Sequence, residues 1–296
     1  MNVQELLTPE NLHSIKGLSL LARATLEGYH SGRNRSQKIG QGMEFSQYRS
    51  YEPGDDLRLL DWKMVARSGK YFVRQSEIDT NITIKFIVDA SVSMMHQDSG
   101  ITKMDYARYL CATLGYLANS QGDKIGLYTL NEHQLNILEP QLSVQQFNRF
   151  LHQLAELDVE GKWPIKSNEL EKLHDKRHKD LIIFVTDFHE HDEELQSFVK
   201  SIKTPRNEVV VLHLMGENER TLDYGKSVTL VDLETNKKLK VDRSRMLDDY
   251  QSALDAHLKG LKEAMLQQGI EYWLLNMGEP VHDAINMFLK RRVSMS

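Results

Sequence analysis

A doubly wound, mostly parallel α/β sheet is the fold class the sequence predicts, and three observations predict it. Segments such as LIIFVTD (181–187) and EVVVLHLM (208–215) are continuous apolar runs, the pattern of strands buried on both faces. From about residue 80 onward such runs alternate with helical periodicity, which calls for a layered α/β architecture. Two of the runs, ITIKFIVD and LIIFVTD, end on an aspartate, Asp89 and Asp187, so polar chemistry collects at one edge of the sheet.

The elements follow in order. Residues 10–29 predict a packing helix, with Leu12, Ile15, Leu18, Ala22 and Leu26 at three-to-four spacing and Gly28 as its stop signal. Residues 30–80 change character: short strand-like runs, many charges, and turn signals at Pro53-Gly54 and Ser68-Gly69 predict a β-rich segment. A strand over 82–88 is followed by a helix over 103–119 whose Met104, Ala107, Cys111, Leu114 and Ala118 share one face. A strand over 124–130, helices over 143–155 and 167–176, a strand over 180–186, a helix over 192–202 and a strand over 208–214 continue the alternation. The stretch near 217–245 interrupts it, because SVTLVDLETNKKLKV alternates apolar residues about a Thr-Asn turn and reads as a hairpin insertion. A helix over 244–267 carries the stripe Leu247, Tyr250, Leu254, Leu258, Leu261 and Met265 and stops before Gly269. The strand IEYWLLN and a helix over 280–291 complete the pattern, giving an N-terminal block at 1–79 and an α/β domain at 80–296.

Composition narrows the function. The 296 residues carry a net charge of -5, so no basic field favours nucleic acid. A single cysteine, Cys111, excludes an intrachain disulfide and a multi-cysteine zinc site, and a reducing, cytoplasmic setting is the expectation. No run approaches the ~18 apolar residues of a membrane span, and the LSLLARATL stretch is broken by Arg23, so membrane insertion and secretion are not expected.

The chemistry concentrates in NITIKFIVDASVSMMH (81–96). A tight loop after the strand turns the oxygens of Asp89, Ser91 and Ser93 inward, and Asp187 closes a second strand at the same edge. Two carboxylates and two hydroxyls suit magnesium, which takes an oxygen shell, keeps several waters and needs only one or two carboxylates. The bland reading, a strand-end turn with local serine and aspartate bonds, applies to the triplet taken alone.

Asp89-Ala90-Ser91-Val92-Ser93 resembles the metal-ion-dependent adhesion site of von Willebrand factor A domains. That resemblance implies a Rossmann-like von Willebrand factor A sheet and a Mg2+ or Mn2+ ion held by Asp89, Ser91, Ser93, Asp187 and a threonine. No threonine stands in the matching loop, and Ser167 is the candidate in its place. An ion with few anionic ligands binds weakly until a protein partner supplies a carboxylate. The block GMEFSQYRSYEPGDDLRLLDWKMVAR (42–67) is similar to the bacterial family called domain of unknown function 58, through Gly42 to Phe45, Arg49 to Arg58 and Asp61 to Arg67. That resemblance covers nearly the whole chain and implies a non-enzymatic adaptor for a MoxR-type AAA+ ATPase.

Within the block Glu44, Arg49, Tyr51, Gly54, Asp55, Asp56, Arg58, Asp61, Trp62 and Arg67 are candidates for a partner surface. The competing reading is a charge network that fixes the Pro53-Gly54 turn with Trp62 packed beneath it. His189 and His191, and His174 and His178, have spacings that could serve a metal, but their charged surroundings read as solvated loop and helix face. The cationic loop SGRNRSQK (31–38) lacks interleaved aromatics and reads the same way. A hydrolase is disfavoured: the chain has no phosphate-binding loop, no nucleophile elbow and no HExxH helix, and Ser91 stands where a phosphatase acid would be.

Overall fold

The computed structural model describes residues 3–33, 47–51, 62–75, 82–143, 145–164, 180–189, 193–224, 227–235 and 237–295. These fall into two compact units, one of residues 1–32 and 81–295 and one of residues 33–80.

The larger unit is built on a six-stranded sheet. In chain order its strands are β3 (Thr83–Asp89), β6 (Lys124–Leu130), β7 (Leu135–Gln141), β8 (Asp180–Thr186), β9 (Glu208–Met215) and β12 (Glu271–Asn276). They lie in the order β12-β9-β8-β3-β6-β7, with every pair parallel except β6 and β7. The order reverses between β3 and β8, and this is where an open α/β sheet leaves a crevice at its carboxyl edge.

Alternation along the buried strands builds two cores. Ile84, Phe86 and Val88 of β3, with Leu181, Ile183 and Val185 of β8, face one side; Ile87, Ile182 and Phe184 face the other. The first core takes in the helices α3 (Ile15–Arg33), α5 (Lys103–Ser120), α6 (Gln146–Ala155) and α10 (His282–Met295). The second is covered by α7 (Glu194–Ile202) and α9 (Arg243–Gln267). This is the doubly wound arrangement expected.

The helical N-terminus packs with this unit. Leu18, Leu21, Ala22 and Leu26 of α3 are buried in the first core, as is Leu12 of the short helix α2 (Pro9–Leu12), which follows another, α1 (Val3–Leu6). Tyr29 Oη donates to Asn286 Oδ1 at 2.7 Å, fastening α3 to α10. The boundary drawn at residue 79 therefore gives way to one that returns residues 1–32 to the α/β unit. Helix α3 also runs past Gly28 to Arg33, because the packing of its apolar stripe outweighs the ~1 kcal/mol cost of one helical glycine.

Strand β7 was not foreseen. It is an edge strand with half-exposed alternation and Pro140 near its end, so it lacks the apolar run of its neighbours. Its pairing with β6 shifts register between Ile125 and Leu127. At that point a Cβ on Gly126 would lie 2.7 Å from Pro140 Cγ, so only glycine admits the edge strand this closely.

The hairpin insertion forms as expected: β10 (Ser227–Val231) pairs antiparallel with β11 (Lys238–Asp242), preceded by the one-turn helix α8 (Glu217–Thr221), and a smaller antiparallel pair, β4 (Gln97–Asp98) with β5 (Ile101–Thr102), stands before α5. In the smaller unit, β1 (Gln47–Ser50) pairs antiparallel with β2 (Phe72–Gln75), and α4 (Trp62–Ser68) lies between them in sequence.

Candidate functional site

Strand β3 ends at Asp89, and the loop that follows is clamped from both sides. Ala90 N donates to Leu130 O at 2.8 Å, Glu160 N donates to Ala90 O at 3.0 Å, and Val92 N donates to Gly161 O at 2.9 Å. The chain then enters a 3-10 turn, Val92–Met95, directly after Ser91. This fixes the D-x-S-x-S segment against the end of β6 and the 157–164 segment, where Trp163 is buried.

The side chains form one hydrogen-bonded chain. Asp89 Oδ1 accepts from Ser91 N at 3.0 Å and its Oδ2 accepts from Thr186 Oγ1 at 2.7 Å. Ser91 Oγ lies 3.0 Å from Ser93 Oγ, and Ser93 Oγ donates to Asp187 Oδ1 at 3.0 Å. All five residues are buried. The structure thus brings Asp89, Ser91, Ser93 and Asp187 together across the switch between β3 and β8. Ser167 lies outside the described residues, as do Glu44, Gly54, Asp55, Asp56, Arg58, Asp61, His174, His178 and His191, and the helix expected over 167–176.

Three participants were not foreseen. Thr186 is the last residue of β8 and supplies a hydroxyl to Asp89. Lys103, the first residue of α5, donates from Nζ to Asp187 Oδ2 at 3.0 Å and to Glu219 Oε1 at 2.8 Å. Glu219 in turn accepts from Gly216 N through Oε2 at 2.8 Å, which fixes α8 after β9. A signal for Lys103 was available: a lysine at the first helical position faces the positive end of the helix dipole and needs a compensating anion. Thr186 was legible only as the neighbour of Asp187.

Electrostatics separates the two aspartates. Burial opposes ionisation of Asp187, but the Lys103 ammonium and its hydrogen bond outweigh it and hold the carboxyl below its ordinary range. Burial likewise works against charged Lys103, and Asp187 and Glu219 reverse that and raise it. Asp89 has no such cation. Burial, and then the charge of Asp187, push it up to about 6 against the hydrogen bonds from Ser91 and Thr186. Behind Asp187, burial and then the Lys103 charge press His213 down to about 3, so it is neutral, with Nδ1 2.6 Å from Tyr272 Oη.

This donor set fits a hard cation. Half of it is neutral hydroxyl and half carboxylate, the oxygen donors that magnesium takes. Among the described residues no three His, Cys, Asp or Glu side chains converge as a metal cluster. His189 stands at the edge of the site, its N donating to Asp187 Oδ1 at 3.2 Å. Ser93 and Asp187 open onto a cavity of about 820 Å3 whose far walls come from the hairpin and α9.

In the smaller unit Arg49 of β1 pairs across from Val73, Tyr51 N donates to Tyr71 O at 3.0 Å, and Arg67 is exposed at the end of α4. Trp62 is 63% exposed at the start of α4, and the Pro53-Gly54 turn lies outside the described residues.

Comparison with known proteins follows the same lines. The uncharacterized proteins Mb1516 of Mycobacterium bovis and Rv1480 of Mycobacterium tuberculosis are each 23% identical over 256 residues, covering 84% of this chain and 79% of theirs. Among solved structures, the conserved hypothetical protein BatB from Bacteroides thetaiotaomicron aligns over 72% of this chain and 100% of its own, at 14% identity and a TM-score of 0.45. The von Willebrand factor type A structure from Catenulispora acidiphila aligns over 76% of this chain and 44% of its own, at 15% identity and a TM-score of 0.41. The model of the family described as protein of unknown function DUF58 matches residues 47–259, well over half of the chain, and the chain belongs to that family.

Proposed function

We propose that this chain is a non-enzymatic protein-interaction module of von Willebrand factor A type that takes an acidic side chain of a partner at the carboxyl edge of its sheet. The observation that carries the reading is the hydrogen-bonded chain Asp89–Ser91–Ser93–Asp187 at the switch in strand order. Asp89, Ser91, Ser93 and Asp187 would hold Mg2+ or Mn2+, with Ser167 or Thr186 as a further hydroxyl. When bound, the ion supplies positive charge that two neutral hydroxyls leave largely unbalanced, and that charge attracts a carboxylate. The protein side does the rest: the clamped loop keeps Ser93 on Asp187 and Ser91 on Ser93, and Lys103 keeps Asp187 ionised.

In cellular terms the reading is a cytoplasmic adaptor for a MoxR-type AAA+ ATPase in protein-complex assembly or activation. The exposed Trp62 supports the N-terminal block as a second contact, since exposed tryptophan is the residue type enriched at interface hot spots. A metal-free scaffold is the second reading, favoured by the Lys103 ammonium, which already sits 3.0 Å from Asp187. A hydrolase has less support: Ser91 cannot act as an acid at neutral pH.

The test is retention of a MoxR-type ATPase on immobilised protein with magnesium or with chelator. Retention by the wild type in magnesium, lost in chelator and lost in Asp89→Ala, is expected. Equal retention in all three contradicts the metal-dependent reading, and retention that ignores metal but fails in Trp62→Ala favours the scaffold.

A further inference from the structure

The cavity beside the site serves the proposed carboxylate site only at its Ser93 and Asp187 end. Its volume of about 820 Å3 lies within the ~300–1,000 Å3 of cavities that enclose a ligand. Its walls are held in place. Asp232 N donates to Lys237 O at 2.9 Å, and the Asp232 carboxylate accepts from Glu234 N at 2.9 Å, Thr235 N at 3.0 Å and Thr235 Oγ1 at 2.7 Å, so the turn between β10 and β11 is fixed by its own bonds. On another wall Tyr250 Oη of α9 donates to Glu219 O at 2.7 Å, fastening α9 to α8.

The far walls are aliphatic: Leu222 just past α8, Leu230 and Leu239 paired across the hairpin, and Leu254 of α9. Around them Val231 is 44%, Leu233 44% and Leu239 58% exposed, all on one hairpin and all lining the cavity. A single exposed aliphatic needs no explanation, but three gathered on one cavity rim mark a contact surface. The returning strand is also cationic. Lys237 and Lys238 line the cavity and Lys240 follows; all three are exposed, and among the described residues none has an ion pair. The acids of the cavity are already engaged, since Asp187 and Glu219 share the Lys103 ammonium and Asp232 closes its turn. Apolar walls with uncompensated lysines at the rim complement an acidic segment that carries an apolar anchor.

We infer that the cavity is a peptide-docking site for a partner segment that sets an apolar side chain between Leu230, Leu239 and Leu254 and acidic residues against Lys237 and Lys238. The buried anchor supplies most of the affinity, and the lysines select the charge and orientation of the segment. This inference rests on the reading of the chain as a protein-interaction module, and it holds with or without an ion at Asp89.

The experiment is selection of peptides from a displayed random library on the full chain, in chelator and in magnesium. The wild type is compared with Leu239→Asp and with the double variant Lys237→Glu, Lys238→Glu. These side chains are exposed, and thermal unfolding checks that the variants keep the fold. The wild type in chelator is expected to enrich peptides with an apolar residue beside acidic ones. The best of them should bind Leu239→Asp about tenfold more weakly, the scale set by burying one leucine. The double variant should instead enrich peptides that pair the apolar residue with basic ones, a reversal that a damaged fold would not produce. Selected peptides that bind both variants as tightly as the wild type overturn the inference. Peptides retained only in magnesium and lost in Asp89→Ala overturn it too and leave the metal-dependent reading standing. No enrichment on the wild type in either condition overturns both.

Discussion

Lys103 and Asp89 divide the electrostatics of the site between them. The Lys103 ammonium bridges Asp187 and Glu219 from a buried position, so removing it leaves a buried anion without its partner. Lys103→Met is expected to cost about 3–5 kcal/mol in denaturant unfolding, the usual cost of breaking such a pair from one side, and a cost below about 1 kcal/mol would contradict this role. Asp89 behaves in the opposite sense. Its folded value of about 6 lies above the ordinary 3.8, so the native chain binds this proton more tightly than the unfolded chain. In chelator the wild type should therefore lose about 2–3 kcal/mol relative to Asp89→Asn as pH rises from about 4 to about 6, with the gap between the two constant below that window and constant again above it. A gap independent of pH would contradict it. The two aspartates and two serines were legible because each sits at or just past the end of an apolar run. Lys103 and Thr186 were not, since their roles depend on pairings 84 and 97 residues apart that only the sheet order creates.

At the scale of elements, the strands buried on both faces and the long helices follow from periodicity, because a doubly covered sheet demands unbroken apolar runs. The edge does not. Strand β7 faces solvent along one margin, so its residues meet weaker demands and its sequence resembles loop as much as strand. What holds it is the close approach at Gly126, where an added Cβ meets Pro140 Cγ at 2.7 Å and Leu138 O at 2.8 Å. Gly126→Ala should destabilise the chain by about 1–3 kcal/mol and loosen β7 specifically, read as faster amide exchange over residues 135–141 with β3 and β8 unaffected. Uniform loss of protection across the sheet would show that the glycine serves the whole core instead. The hairpin was legible for the complementary reason: its alternation about a polar turn is a local signal, although its reach toward Asp187 is not.

The α/β unit sets a clamped loop, two strand-end aspartates and a hairpin that lines the same cavity at one edge of a sheet whose order reverses there. The grouping of residues 1–32 with the α/β unit was not legible, because an amphipathic helix announces that it packs without saying on what. The central claim is that this edge binds a divalent cation through Asp89. Thermal unfolding with magnesium against chelator, on wild type and Asp89→Asn, tests it most directly, since a ligand that binds only the native state raises its stability by mass action. The account predicts a magnesium-dependent rise in Tm for the wild type and none for Asp89→Asn, and an unresponsive wild type, or the same rise in both, would contradict it.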